Sequence, residues 1–330
     1  MNVRRRHISA VALTAVAALG FGTLTACSSD SAAAGDTGTF DVVASFYPMA
    51  FLAERIGGDH VHVTSLTQPG QEPHDLEISA KQTAQLEESD AALYLKGLQP
   101  SVDDAIGQSP IATKIDAAEL TALEEHGTEA GLGEEHGDEH GDEHAHEDEH
   151  GHDHDHEGGD PHIWLDPVKY AEVAEGVGKA FQKADPDHAA DYRKNTATLV
   201  KDLKALDQKF RTGLANRKTD VFVTTHAAFG YLAERYGLTE EAISGLDPDT
   251  EPSGARVKEL QKIAKEDGVT TVFYETLVSD RTAKTLAGDT GLRTDVLDPV
   301  EGITDHSRGE DYFQVMEANL TALRTALGAR

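Results

Sequence analysis

FDVVASFYPMAFLAERIGGDHVHVTSL, residues 40–66, holds the unit from which the fold follows. Phe40 to Ser45 is a short apolar run, Val61 to Leu66 is a second rich in β-branched residues, and a helical stretch from about Pro48 to Ile56 lies between them. Strand, helix and strand at this spacing form a βαβ unit, whose strands pair in parallel. Ala91 to Leu95 supplies a further strand, and Ser79 to Glu88 reads as a surface helix with Ser79 at its N-cap. The C-terminal third repeats the pattern, with strands at Val221–Thr224, Val269–Tyr274 and Thr294–Leu297. Helices are expected there at about Ala227–Tyr236, Ser253–Glu266, Arg281–Asp289 and Asp311–Leu327. The predicted fold is therefore α/β with two lobes, each a parallel sheet flanked by helices.

Between the lobes, residues 185–216 carry the most regular helical pattern. Asp185-Pro186 offers a cap and a first-turn proline. Tyr192, Thr196, Leu199, Leu203, Leu206 and Phe210 then recur at steps of three or four, forming one apolar stripe. At about 1.5 Å per residue such a helix reaches roughly 40 Å. Periodicity alone fits a bridge between lobes and a packing helix within one lobe equally well.

The 330 residues are enough for about two domains. A net charge of −30 excludes a nucleic-acid binder, which needs clustered Lys and Arg against phosphates. At the N-terminus, Arg4 to Arg6 precede an apolar run from Ile8 to Leu24 that is shorter than a membrane span and interrupted by small polar residues. It ends in Leu24-Thr25-Ala26-Cys27, which resembles the lipobox of bacterial lipoproteins. That likeness implies a signal peptide over residues 1–26, diacylglycerol on Cys27, a flexible tether over 27–39 and a place on the extracytoplasmic side of the cell membrane. Cys27 is the single cysteine, so no intramolecular disulfide can form.

Residues 124–157 break the α/β pattern. They hold nine histidines, His126, His136, His140, His144, His146, His150, His152, His154 and His156, with fifteen acids and no Lys or Arg. Such a stretch cannot build an apolar core, and disorder without metal is expected. Its neutral imidazoles suit zinc, copper and nickel, which points to a secondary, low-affinity metal-binding loop within an N-terminal lobe of residues 40–184. The C-terminal lobe is expected over 217–330.

Three further histidines sit in turn-rich or strand-end segments: His74 in Pro69-Gly70-Gln71-Glu72-Pro73-His74-Asp75, His162 in Asp160-Pro161-His162-Ile163-Trp164-Leu165-Asp166-Pro167, and His226 just after the strand Val221 to Thr224. Ligands of open α/β sheets bind beyond the carboxyl ends of strands, where these histidines lie. Their separation is nothing like a zinc-finger spacing, so only a fold could bring them together.

Together with Ser45-Phe46-Tyr47-Pro48, Thr225-His226-Ala227-Ala228-Phe229-Gly230-Tyr231, Glu251-Pro252-Ser253 and Leu297-Asp298-Pro299-Val300-Glu301-Gly302, these segments resemble the zinc/manganese ABC-transporter substrate-binding proteins, the ZnuA-like family. The resemblance runs in order along essentially the whole mature chain. It implies two lobes joined by a rigid long helix, with metal in the cleft between them. It implies His74, His162 and His226 as ligands, and Glu301 as the fourth, with Asp298 and then Glu275 as alternatives, or water in that place. A third imidazole favours zinc, since manganese prefers oxygen donors. The function implied is capture of Zn(II) and delivery to an ABC permease served by a separate ATPase, by a monomer that is not an enzyme. The alternatives are a manganese or broad divalent-metal carrier, a zinc-dependent hydrolase, or a metal-binding adhesin. A hydrolase has little support in the sequence: its one His-Glu-x-x-His match, His146 to His150, falls inside the low-complexity tract, where the helix such a pair needs is not expected.

Overall fold

The computed structural model describes residues 39–126 and 159–330. Residues 1–26, Cys27, the stretch 27–38 and the tract histidines from His136 to His156 lie outside the described residues, and His126 lies within them.

The first sheet is built from β1 (Phe40–Ala44), β2 (Val61–Ser65), β3 (Ala91–Tyr94) and β4 (Thr113–Asp116) in the order β2-β1-β3-β4, all parallel. Helix α1 (Tyr47–Gly57) crosses from β1 to β2, with Pro48 in its first turn, where no amide bond is lost. Helix α2 (Ala80–Glu88) starts as expected at Ser79, in a capping box where Ser79 and Gln82 bond each other's backbone amides. Helix α3 (Pro100–Gln108) precedes β4.

Helix α4 (Pro167–Ala184) begins at Asp166, whose side chain accepts from the Val168 amide. Helix α5 (Ala189–Gly213) carries the apolar stripe inward: Tyr192, Thr196, Leu199, Leu203, Leu206 and Phe210 are all buried. It starts later than Asp185-Pro186 suggests. Pro186–His188 forms a 3-10 turn instead, because the Asp185 carboxylate is taken by His188 Nδ1 at 2.7 Å and by the Tyr192 hydroxyl. At 25 residues the helix is about 38 Å long, and it packs on α1 and α4 at one end and on the last helix of the chain at the other.

The second sheet repeats the first: β5 (Val221–Thr224), α6 (Gly230–Tyr236), β6 (Thr239–Ala242), α7 (Gly254–Glu266), β7 (Thr271–Tyr274), α8 (Arg281–Thr290) and β8 (Arg293–Val296), with order β6-β5-β7-β8, all parallel. Helix α9 (Tyr312–Leu327) closes the chain. In both sheets the first strand lies between the second and third, so the chain leaves it in opposite directions. Crevices open at such reversals, beyond the carboxyl ends of the strands.

Trp164 ties the two halves together. It is fully buried, its ring meets Phe46 edge-on at 5.0 Å, and its indole N–H donates to the Pro299 carbonyl at 2.6 Å. The Tyr312 hydroxyl donates to the Trp164 carbonyl, also at 2.6 Å. No helix among the described residues is long and apolar enough to cross a membrane.

Candidate metal centre

Four side chains from distant parts of the chain converge where the strand-end loops meet: His74 after β2, His162 before α4, His226 after β5 and Glu301 after β8. Glu301 Oε1 lies 3.3 Å from His74 Nε2, 3.5 Å from His162 Nε2 and 3.9 Å from His226 Nε2. The Nε2 atoms of His162 and His226 are 3.4 Å apart. A tetrahedral zinc ion with bonds of about 2.0–2.1 Å has ligand-to-ligand edges of about 3.3–3.4 Å. The observed edges match that figure closely, with the longest somewhat open.

Each imidazole is aimed by what holds its other nitrogen. Asp160 Oδ1 accepts from both the His162 amide and His162 Nδ1, at 2.9 and 2.8 Å. Glu275 Oε1 lies 2.6 Å from His226 Nδ1 and also accepts from the Thr225 hydroxyl. Both carboxylates are buried, and both leave Nε2 free to face the other ligands. A carboxylate behind a ligating histidine fixes its tautomer and makes its free nitrogen a better donor.

These contacts sort the three carboxylates of the sequence reading. Glu301 stands among the imidazoles. Glu275 stands behind one of them, with its oxygen on Nδ1 rather than beside Nε2. Asp298 is turned into its own loop, where it accepts from the Val300 amide at 2.8 Å and the Thr276 hydroxyl at 3.1 Å. That bond helps hold Val300 at φ 60°, a left-handed conformation that a β-branched residue rarely adopts. Asp160, one turn of chain before His162, was not singled out from sequence. The spacing Asp-x-His could have flagged it, since a carboxylate two residues ahead can reach both the amide and Nδ1 of the histidine.

Burial opposes charge at His162, His226 and Glu301, and contacts with opposite charges outweigh it there. Burial disfavours a proton on His162, yet Asp160 and Glu301 push its pKa up to about 10. Burial also works against charged His226, but Glu275 beside it raises the pKa. For Glu301 burial would favour the acid, while His162 and His74 hold the carboxyl well below its usual range. Glu72, whose Oε1 is 4.0 Å from His74 Nε2, is pushed up to about 7 by burial. Among the described residues the cluster is thus rich in imidazole, with one anionic oxygen at its centre.

The sequence profile of the family described as "Zinc-uptake complex component A periplasmic" matches residues 42–326. The chain belongs to this family. Within it, the chain is 36% identical over 310 residues to the zinc-binding lipoprotein AdcA of Streptococcus pneumoniae, covering 91% of this chain and 58% of that one. It is 36% identical over 292 residues to the high-affinity zinc uptake system protein ZnuA of Bacillus subtilis, covering 87% of each. The chain spans little more than half the length of the streptococcal relatives it matches. Among solved structures it is similar to the Zn(II)-bound ZnuA-like domain of Streptococcus pneumoniae AdcA, with a TM-score of 0.69 and 32% identity over 88% of this chain and 99% of that domain. The two parallel sheets and the long helix are thus the architecture of the zinc-uptake component A family, as the sequence reading expected.

Proposed function

We propose that this chain captures Zn(II) with His74, His162, His226 and Glu301 and delivers it to an ABC permease powered by a separate ATPase. The observation that carries the reading is the Glu301 oxygen set among three imidazole nitrogens at 3.3, 3.5 and 3.9 Å, near the edges of one zinc tetrahedron. Three nitrogens favour zinc over manganese, which prefers an octahedron of oxygens. Four protein donors also leave no open position for an activated water, so the set suits a carrier rather than a hydrolase, whose catalytic zinc keeps one. The zinc-binding and zinc-uptake names of the relatives support the same reading.

The test is calorimetry of Zn(II) and Mn(II) binding in buffers of different ionisation enthalpy. A ligating imidazole must be neutral, and the Asp160 and Glu301 carboxylates beside the buried His162 raise its pKa and favour its protonated form. Zinc must therefore displace protons at pH 7, and affinity should fall as the pH is lowered because proton competition grows. One tight zinc site with proton release, and much weaker manganese binding, is the expected result. Tight binding of manganese, or heat that does not vary with the buffer, would overturn the assignment.

We further infer that residues 1–26 are removed as a signal peptide and that Cys27 carries the lipid holding the protein to the extracytoplasmic face. The supporting signal is Leu24-Thr25-Ala26-Cys27 after a positively charged start and an apolar run. Cys27→Ala should move the protein from the membrane fraction to the soluble one. A variant that stays with membranes through high-salt washing would rule the anchor out.

A further inference from the structure

Helix α5 carries a cationic outer face in a chain whose net charge is −30. Opposite its buried stripe, Lys194, Ala197, Lys201, Lys204 and Gln208 follow one another at steps of three and four, and all are exposed. No acid falls on this face. The three acids of the helix stand on its flanks, each against a basic side chain: Asp191 with His60 at 3.0 Å, Asp202 with Arg55 at 3.1 Å and Asp207 with Arg211 at 2.9 Å. Lys194, Lys201 and Lys204 enter no ion pair among the described residues. Their charges are therefore uncompensated along about 15 Å of helix.

The N-terminal segment joins the folded body beside the start of this helix. Phe40, the first residue of β1, meets Phe181 edge-on at 5.6 Å, and Phe181 meets Tyr192 of α5 edge-on at 5.7 Å. Fully extended, residues 27–39 reach at most about 45 Å, more than the length of α5. A lipid on Cys27 therefore leaves the whole outer face free to touch the bilayer that holds it. Both ends of α5 also lie at the amino ends of strands. Asp191 is bonded to His60, just ahead of β2, and Arg217, just after the helix, to Asp220, just ahead of β5. His74, His226 and Glu301 follow the carboxyl ends of β2, β5 and β8.

We propose that the outer face of α5 rests on an anionic bilayer, with Lys194, Lys201 and Lys204 against the lipid phosphates. The inference rests on the lipid-anchor reading of Cys27 and adds an orientation to it. The overall negative charge does not prevent the contact, because salt screens charges beyond about 8 Å and the bilayer responds to the nearest face. Each lysine near an anionic surface favours contact by about fivefold, so three favour this pose by about a hundredfold. In this pose the metal-binding cleft is turned away from the bilayer, open to incoming ions. Delivery to a partner within the membrane then requires the body to leave the headgroups and turn on its tether.

The test couples the mature chain, residues 27–330, through its single thiol at Cys27 to a maleimide lipid in vesicles of phosphatidylcholine or of phosphatidylglycerol. A brief pulse of an amine-acetylating reagent, read by mass spectrometry, reports the accessibility of each lysine. Lys258 and Lys265 on α7 are exposed and serve as references. Acetylation of Lys194, Lys201 and Lys204 should fall at least about tenfold on phosphatidylglycerol relative to phosphatidylcholine, with the references level. The difference should vanish in molar salt, where the screening length shrinks to about 3 Å. Lys201→Glu combined with Lys204→Glu should return Lys194 to its rate on phosphatidylcholine. Equal rates on the two vesicles, as the chain's own acidic tract lying over the helix would give, overturn the proposal. Equal protection of the α7 references does the same. Because the thiol is coupled directly, neither outcome depends on whether cells lipidate Cys27, which the fractionation of Cys27→Ala decides separately.

Discussion

Zinc affinity is expected to fall by roughly a hundredfold to a thousandfold when His226 is replaced by alanine. Structural zinc sites bind with about 10–16 kcal/mol shared among four ligands, or about 2.5–4 kcal/mol each. With about 1.4 kcal/mol per factor of ten, that share gives the stated range. His226 is fully buried and held by Glu275, so its nitrogen is fixed toward the other ligands. Glu275→Gln keeps the shape but removes the charge behind the ring, and should cost about ten- to a hundredfold. The order of the two losses matters as much as their size. Chelator competition measures both, and an unchanged affinity in His226→Ala would remove that residue from the site.

The second large effect concerns stability. Trp164→Ala should destabilise the zinc-free protein by about 3–5 kcal/mol, the usual range for deleting a buried tryptophan side chain. Trp164 is completely enclosed, and its indole N–H is the donor to Pro299. The same change frees the loop that carries Glu301 and loosens the segment that carries His162, so zinc affinity should drop together with stability. Trp164→Phe keeps most of the ring volume but loses the indole donor, and should fall between the two. Thermal unfolding followed by circular dichroism, with and without zinc, separates these contributions. If Trp164→Ala melts with the parent, the packing described for this residue is wrong.

Much of the fold is legible in local patterns because its parallel strands are buried apolar runs. Phe40–Ala44 and Thr271–Tyr274 advertise themselves in this way, as does the stripe from Tyr192 to Phe210. Strand β6 does not. Its sequence, Thr-Glu-Glu-Ala, lacks an apolar run, and it forms at the sheet edge because Glu240 is bonded by the Thr224 hydroxyl and the Phe229 amide. Helix α6 also starts three residues later than its sequence suggests, since the Ala227 amide donates to Gly245 instead of entering the helix. Within the site, the three histidines are given by the family resemblance, because their spacing alone shows no convergence and His162 follows a loop, not a strand. The roles of Glu275, Asp298 and Glu301 could not be read from their positions, because all three are acids near strand ends. Only side-chain direction separates the one facing the imidazoles from the one behind them and the one turned into its loop.

The left-handed Val300 has a thermodynamic consequence. A residue of this type at φ 60° costs about 1–3 kcal/mol, and its neighbours must maintain it. Asp298 on its amide and full burial of its side chain do so here. The turn, set by backbone contacts of its own, places the next residue, Glu301, facing the imidazoles. The entropy lost in ordering that carboxylate is therefore charged to the folding equilibrium and does not reduce the free energy of metal capture. The chain is slightly less stable than it could be, and its central oxygen is preorganised for the ion it receives.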